Sequence, residues 1–318
     1  AELAGSSLPD AVTSILIIPL TTRQQTRGSL VVINACTLKS DDIDLLRMVT
    51  ELSSTAIDNA LLHQEALIKQ ALRHQLKLAG SIQQNLLPVE PPTHDNVNIA
   101  GLNSPCDESG GDYFDYFMVN DSQIGFVLGD ATGHGIGAAL IATTARACLR
   151  ALMTDEPLNP ERLPDVLANL NNLIEQDFSD EQYITLFIGI YDPYTRQLQY
   201  ASAGHDPPLL VYRASTGAFE YLESTGLPVG MFANTVYQQG LVRELTSNDI
   251  LLLMSDGVNE ALDKNQEQFG KQRITEFVRL HCDLDPTALI QSLIDKVFEF
   301  SHGMPRNDDI TMVCLKLK

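Results

Sequence analysis

The sequence predicts an α+β fold, an antiparallel β-sandwich flanked by helices, and three observations carry the prediction. Strand-like runs recur at 124–128, 183–192, 197–205, 207–213, 219–224 and 248–257, most of them separated by short turns, which makes hairpins of them. Helical stretches come in pairs, at 137–153 with 161–178 and at 271–281 with 286–300, instead of alternating one for one with strands. The chain has 318 residues, 44% of them hydrophobic, enough to bury a sizeable core.

Charge narrows the function classes. With 41 acidic residues against 21 basic ones the net charge is −20. That opposes nucleic-acid binding, which needs a basic footprint, and favours divalent cations. Cys36, Cys106, Cys148, Cys282 and Cys314 are scattered with no CxxC spacing. Neither a disulfide framework nor a zinc ribbon is expected, and the setting implied is reducing and cytoplasmic. No apolar run approaches the roughly 20 residues of a membrane span, and residues 1–10 lack the pattern of a signal peptide.

Taken in order, SILIIPL (14–20) and GSLVVIN (28–34) flank the polar turn TTRQQTR and read as a hairpin. From Ser40, a good N-cap residue, the sequence is free of proline until Pro88 and helical throughout. At 1.5 Å per residue that is one helix of roughly 70 Å, or two helices broken near Gly80. Ile57, Leu61, Ile68, Leu72, Leu76, Ala79, Ile82 and Leu86 form a narrow apolar seam along it, with glutamines and His63 beside the seam. This suggests a parallel two-stranded coiled coil, hence a homodimer. The plainer reading is a helix packed on its own domain.

SILIIPL, RGSLVVINA and SDDIDLLRMVTELSSTAIDNALL resemble the last strands and closing helix of a GAF sensor domain. The resemblance implies that 1–60 is the C-terminal part of such a domain, within a longer protein. Residues 61–90 are then a helical, coiled-coil linker, and 91–318 a second domain. The alternative is a small capping subdomain.

PVEPPTHDN (88–96) is a proline-rich boundary, followed by the strand-like NVNIAGL. The hairpin at 110–131 comes next, GGDYFDYFMVNDSQIGFVLGDA, and brings Asp112 and Asp130 close. Asp256 repeats the pattern in LLLMSDG, where a glycine is expected to let the backbone turn sharply, and Asp308 and Asp309 precede the last strand, ITMVCLKL. Each aspartate alone reads as a turn former or strand-end cap. Four at strand ends that converge on one edge of a sandwich make a cluster of oxygen ligands suited to hard divalent metals.

GGDYFD, GDATGHGIGAAL, YASAGHDPPLL, GLPVGMF, LLLMSDGVNEA and NDDITM occur here in the order found in metal-dependent serine/threonine phosphatases of type 2C, the PPM family. The chain most resembles the bacterial branch typified by the stage II sporulation phosphatase and by stress-response phosphatases that act on anti-sigma factor antagonists. The resemblance covers roughly 80–318. It implies two Mn²⁺ or Mg²⁺ ions held by Asp112, Asp130, the Ala131 carbonyl, Asp256 and Asp308, with Asp309 and Gly111 just behind them. Asp308 is favoured over Asp309 because the eukaryotic branch has an Asp-Asn pair there whose first residue binds metal.

The implied reaction is attack on a phosphoserine or phosphothreonine by water that the metals activate. His134 in TGHG is the available proton donor, although the eukaryotic branch places its histidine directly after Asp-Gly, where this chain has Thr132. His205, Thr185, Gly226 and Gly230 read as architectural. The arginine with which the eukaryotic branch holds phosphate has no counterpart before Gly110, where the residues are CDES. The implied partner is a phosphorylated protein, such as a STAS-type anti-sigma factor antagonist. A nucleotidyl cyclase of the GGDEF kind is opposed by Tyr113-Phe114 and leaves SDG and DDIT without a role. A non-catalytic phosphatase-like scaffold or binding module is the remaining alternative, opposed by the four intact aspartates.

Overall fold

The computed structural model describes residues 12–22, 25–154, 159–179, 181–304 and 306–318; the reading of 1–10 and part of the first hairpin turn fall outside them. It divides into two compact units, Ala1–Gln75 and Leu76–Lys318. In the first, β1 (Ile15–Thr21) and β2 (Thr26–Ile33) pair antiparallel, with Ile17 opposite Val31. The Arg27 guanidinium meets Asp58 at 3.4 Å, joining the hairpin to helix α1 (Ser40–Gln84).

Helix α1 is continuous through Gly80, so the two-helix alternative is dropped. Its start also differs from expectation. Ser40 lies inside the first turn, and the Lys39 N–H donates to Asp42 Oδ2 at 2.9 Å, so the carboxylate two residues into the helix makes the cap. Leu61, Ile68 and Leu72 remain 42%, 61% and 54% exposed along the seam.

The second unit begins with the last turns of α1 and contains two five-stranded antiparallel sheets. One has the order β10 (Gly240–Val242), β7 (Gln197–Ala203), β6 (Ile184–Asp192), β5 (Ile124–Ala131), β4 (Asp112–Met118). The other runs β3 (Val97–Ser104), β12 (Ile310–Leu317), β11 (Ile250–Met254), β8 (Leu209–Arg213), β9 (Ala218–Leu222).

Alternation along the strands assigns each face. Phe114, Tyr116, Ile124, Phe126 and Leu128 meet Leu251, Leu253, Val313 and Leu315 in the core between the sheets. Val127, Ile184, Leu186 and Ile188 face outward under α2 (Ile136–Thr154) and α3 (Leu163–Asp177). On the far side Leu252, Met254, Met312 and Cys314 face α5 (Gly270–Leu280) and α6 (Pro286–Ser301). The order is helices, sheet, sheet, helices.

Helix α2 qualifies the expectation that no apolar run approaches the length of a membrane span. Ile136–Met153 is long and apolar enough to span a bilayer by length and composition, with mean hydropathy 1.4. Its Ile141, Ala142, Ala145 and Leu149 are buried in the cluster that covers the first sheet, as in a core helix. Two small elements were not foreseen: β10, only three residues long, and α4 (Asp256–Asn259), which begins on one of the four aspartates. All five cysteines are free thiols.

Candidate metal centre

Register puts the first two carboxylates together. Asp112 lies directly opposite Asp130 across β4 and β5. By alternation both share the face of Phe114 and Leu128, so they point toward the gap between the sheets, at its open end. Strands β11 and β12 are antiparallel neighbours with Met254 opposite Met312. The end of β11 and the start of β12 therefore coincide, and Asp256 and Asp308 follow the one and precede the other. β12 packs against both β4 and β5, which places the two pairs at one edge.

Asp309 organises that edge. It is 4% exposed, and its carboxylate accepts the N–H groups of Cys106 at 2.8 Å, Gly111 at 2.7 Å and Asp112 at 3.4 Å. Its own N–H donates to Asp308 Oδ1 at 2.8 Å, and its carbonyl accepts the Ser255 hydroxyl at 3.2 Å. The Ser255 oxygen in turn accepts the Thr311 N–H at 2.9 Å. One buried residue, through its carboxylate and its own backbone groups, thus fixes the loops that carry Asp112, Asp256 and Asp308 relative to one another.

Close approach explains the glycines here. A Cβ on Gly110 would strike the Asp309 carboxylate, and one on Gly257 the Asp309 carbonyl. Gly257 is needed for that contact and has no positive φ, so the sharp-turn reading of it is replaced. Gly111 is pressed against Ala131: its carbonyl accepts the Ala131 N–H at 3.1 Å, and a Cβ there would come within 2.8 Å of the Ala131 carbonyl oxygen.

The four aspartates have no cationic partner among the described residues. Both oxygens of Asp112 and Oδ1 of Asp256 are buried with no hydrogen bond. Burial pushes Asp112 up to about 8, with the charge of Asp309 adding to it; the Thr311 and Ser255 hydroxyls lie near enough to pull it back in part, although neither reaches it in hydrogen-bond geometry. Burial, then the charges of Asp112 and Asp256, takes Asp130 to about 9. Asp256 rises to about 6 through burial and the nearby Asp308, and Asp308 rises chiefly through burial. Buried acceptors without donors, in a cluster of like charge, are a costly arrangement that a cation relieves. In the side-chain positions described, no three His, Cys, Asp or Glu close up around a single ion. The donor set, carboxylate oxygen throughout, is of the kind that hard cations take.

His134 lies at the rim, within electrostatic reach of Asp308. Its side chain is 78% exposed, with Nδ1 3.3 Å from Asp107 Oδ2. His205 is buried between the sheets: Nε2 donates to the Met254 carbonyl at 3.0 Å, so Nδ1 accepts the Thr185 hydroxyl at 3.2 Å. Burial lowers it to about 4, which keeps the ring neutral and in that tautomer. The Cys106 thiol, pushed up to about 12 by burial and then by Asp309, is a poor nucleophile.

Two contributors carry no sequence signal. Gln83, near the end of α1, bonds both backbone groups of Gly110, and Gln84 Nε2 donates to Asn103 Oδ1 at 2.7 Å. Asn103 Nδ2 donates in turn to the Thr311 hydroxyl at 2.8 Å. These links run from the helix end through β3 to β12.

The chain matches the family model of Stage II sporulation protein E (SpoIIE) over residues 120–318, which includes Asp130, Asp256 and Asp308. It belongs to that family. The SpoIIE-type domain is a phosphatase of type 2C, as the ordered motifs implied. Phosphoserine phosphatase RsbU of Bacillus subtilis is 27% identical over 251 residues, covering 79% of this chain and 72% of its own length. Against two further curated relatives the chain spans less than half of their length, 41% and 45%. Among solved structures, the SiaA-PP2C domain of Pseudomonas aeruginosa superposes with a TM-score of 0.68 at 20% identity, covering 80% of this chain and all of that one. RsbX in complex with magnesium superposes at 0.53 and 13% identity, covering 72% of this chain and 99% of that one. At these identities both likenesses speak for the fold, the α+β arrangement of two antiparallel sheets with flanking helices.

Proposed function

We propose that this chain hydrolyses phosphoserine or phosphothreonine on a protein substrate, using two divalent ions, Mn²⁺ or Mg²⁺, held at the aspartate edge. The observation that carries the reading is the set of orphaned, cation-free carboxylates: Asp112 with both oxygens buried and unbonded, and Asp256 with one. Asp112, Asp130, Asp256, Asp308 and the Ala131 carbonyl are the groups assigned to the ions. Bound there, the ions supply acidification of water and neutralisation of phosphate charge.

The chain's own residues do the rest. Asp309 and Gly111 hold the Asp112 loop through the hydrogen bonds described above, which keeps the first strand end in reach of the second. His205, tied to the Met254 carbonyl, holds the strand end that leads to Asp256. His205 has both ring nitrogens engaged, by Met254 and Thr185, and the Cys106 thiol lies high, so neither of these two side chains competes with water as a nucleophile. His134 sits at the rim, paired to Asp107, and is assigned no proton transfer.

The partner proposed is a phosphorylated STAS-type anti-sigma factor antagonist, in keeping with the family branch. Residues 1–60 are assigned to the C-terminal part of a GAF sensor, 61–90 to the linker and 91–318 to the phosphatase. The exposed seam of α1 favours a homodimer through that helix, and the compartment proposed is the cytoplasm. The test is Mn²⁺- or Mg²⁺-dependent release of phosphate from a phosphoserine protein. No release with either metal, from protein or from p-nitrophenyl phosphate, contradicts the reading.

A further inference from the structure

Beside Asp308 lies a recess of about 160 Å³ that the family assignment leaves without a role. Leu262, Val297, Phe298 and Ile310 give it apolar walls, and Arg306 and Asp308 stand among its lining residues. It also shares Gly257 with the turn that carries Asp256, so it adjoins the aspartate edge directly. Its volume is well below the roughly 300–1,000 Å³ of a small-molecule site, and suits a single side chain.

The wall is built in advance. Arg306 Nη1 donates to the Ser104 carbonyl and hydroxyl oxygens, both at 2.9 Å, and Nη2 to the Pro105 carbonyl at 2.7 Å. The same guanidinium lies 5.4 Å from the centre of the Phe298 ring. Phe298 is thereby held in place although 41% exposed. Glu260 and Asp308 outnumber Arg306 among the charged groups of the lining, and the Arg306 guanidinium is already engaged by Ser104 and Pro105, so an acidic guest is disfavoured while the apolar walls favour a hydrocarbon one.

We propose that this recess receives an apolar side chain of the phosphoprotein substrate, of about leucine size, from a residue within two positions of the phosphoserine. The inference rests on the phosphatase reading above. Asp308 belongs to both the recess and the aspartate edge, so a peptide whose phosphate is held by ions at that edge lies beside the recess. Consecutive Cα atoms are about 3.8 Å apart, so only near neighbours of the phosphoserine reach it. Substrate choice is then made beside the reacting phosphate, by Phe298, Leu262 and their neighbours.

The experiment uses the full chain with Mn²⁺ and a set of phosphoserine peptides carrying one Leu, Glu or Gly at each of the two positions on either side of the phosphoserine. Leu at one position should raise kcat/KM about tenfold over Gly there, and Glu should not. Filling the recess by Ala261→Leu, or opening its wall by Phe298→Ala, should cut that Leu:Gly ratio to below about threefold. Because the readout is a ratio within one protein, a general loss of activity does not imitate it, and either variant suffices if the other fails to fold. Equal rates for Leu and Gly, a preference for Glu, or a ratio that neither variant moves overturns the proposal while leaving the phosphatase reading intact. Failure to hydrolyse any peptide or p-nitrophenyl phosphate overturns both.

Discussion

Gln83 and Gly110 hold each other by two hydrogen bonds: the Gln83 amide donates to the Gly110 carbonyl at 2.7 Å, and its oxygen accepts the Gly110 N–H at 3.1 Å. The residues are 27 apart in sequence, and Gly110 is two residues from Asp112. The end of α1 therefore sets the backbone that presents a proposed ligand. Gln83→Ala removes both bonds, each of net worth about 1 kcal/mol. The expected result is about a tenfold loss of activity at limiting Mn²⁺, recovered in part at high Mn²⁺, measured as phosphate release against metal concentration.

How far the site was legible in the sequence follows from this contact. Each strand that carries an aspartate announces itself as an apolar run ending or beginning on a carboxylate, and the alternation of Phe114, Tyr116 and Asp112 already fixes a shared face. Gln83 announces nothing, because it is a glutamine among glutamines and its partner is set by tertiary packing. Arg306 is equally silent, since it bonds Ser104, 202 residues away. Asp309 lay in the right motif, but its part as the acceptor for three N–H groups needed the fold. β10 escaped notice because three residues give no periodicity.

His205 makes a pH dependence. Its folded value is lowered from 6.5 to about 4 by burial, so between those values the unfolded chain binds the proton that the folded chain refuses. Stability is intact above pH 6.5 and is lost as pH falls toward 4, by about 2–3 kcal/mol at pH 4.5. His205→Gln keeps a donor for the Met254 carbonyl and does not titrate. Urea unfolding of both proteins at pH 7 and pH 4.5 should show a steeper acid loss for the unaltered chain.

His134 is 78% exposed and paired with Asp107, a position suited to the rim. A general acid contributes about 10²–10⁴-fold. His134→Ala should lower kcat on a phosphoserine peptide less than tenfold, and on p-nitrophenyl phosphate by a similar factor. A hundredfold loss confined to the peptide, whose leaving alkoxide needs a proton, would restore histidine as the acid.

Ile68 and Leu72 are 61% and 54% exposed on α1. If they form a coiled-coil seam, Ile68→Glu with Leu72→Glu places carboxylates in it and disperses the dimer. Light scattering of the unaltered chain should give twice the mass of one chain, 34.9 kDa, and of the variant that mass itself. Equal masses for the two proteins remove the helix as the interface.

The central claim is that the aspartate edge is a working metal centre, and Asp256→Asn tests it most directly. The substitution leaves the size of the side chain unchanged, and Asn relieves the like-charge crowding with Asp308, so the fold is expected to persist. Initial rates on a phosphoserine protein across a Mn²⁺ titration, with circular dichroism as a fold control, should show metal-dependent turnover in the unaltered chain and a loss of at least about a hundredfold in the variant. Turnover independent of metal, or equal in the two folded proteins, contradicts the account.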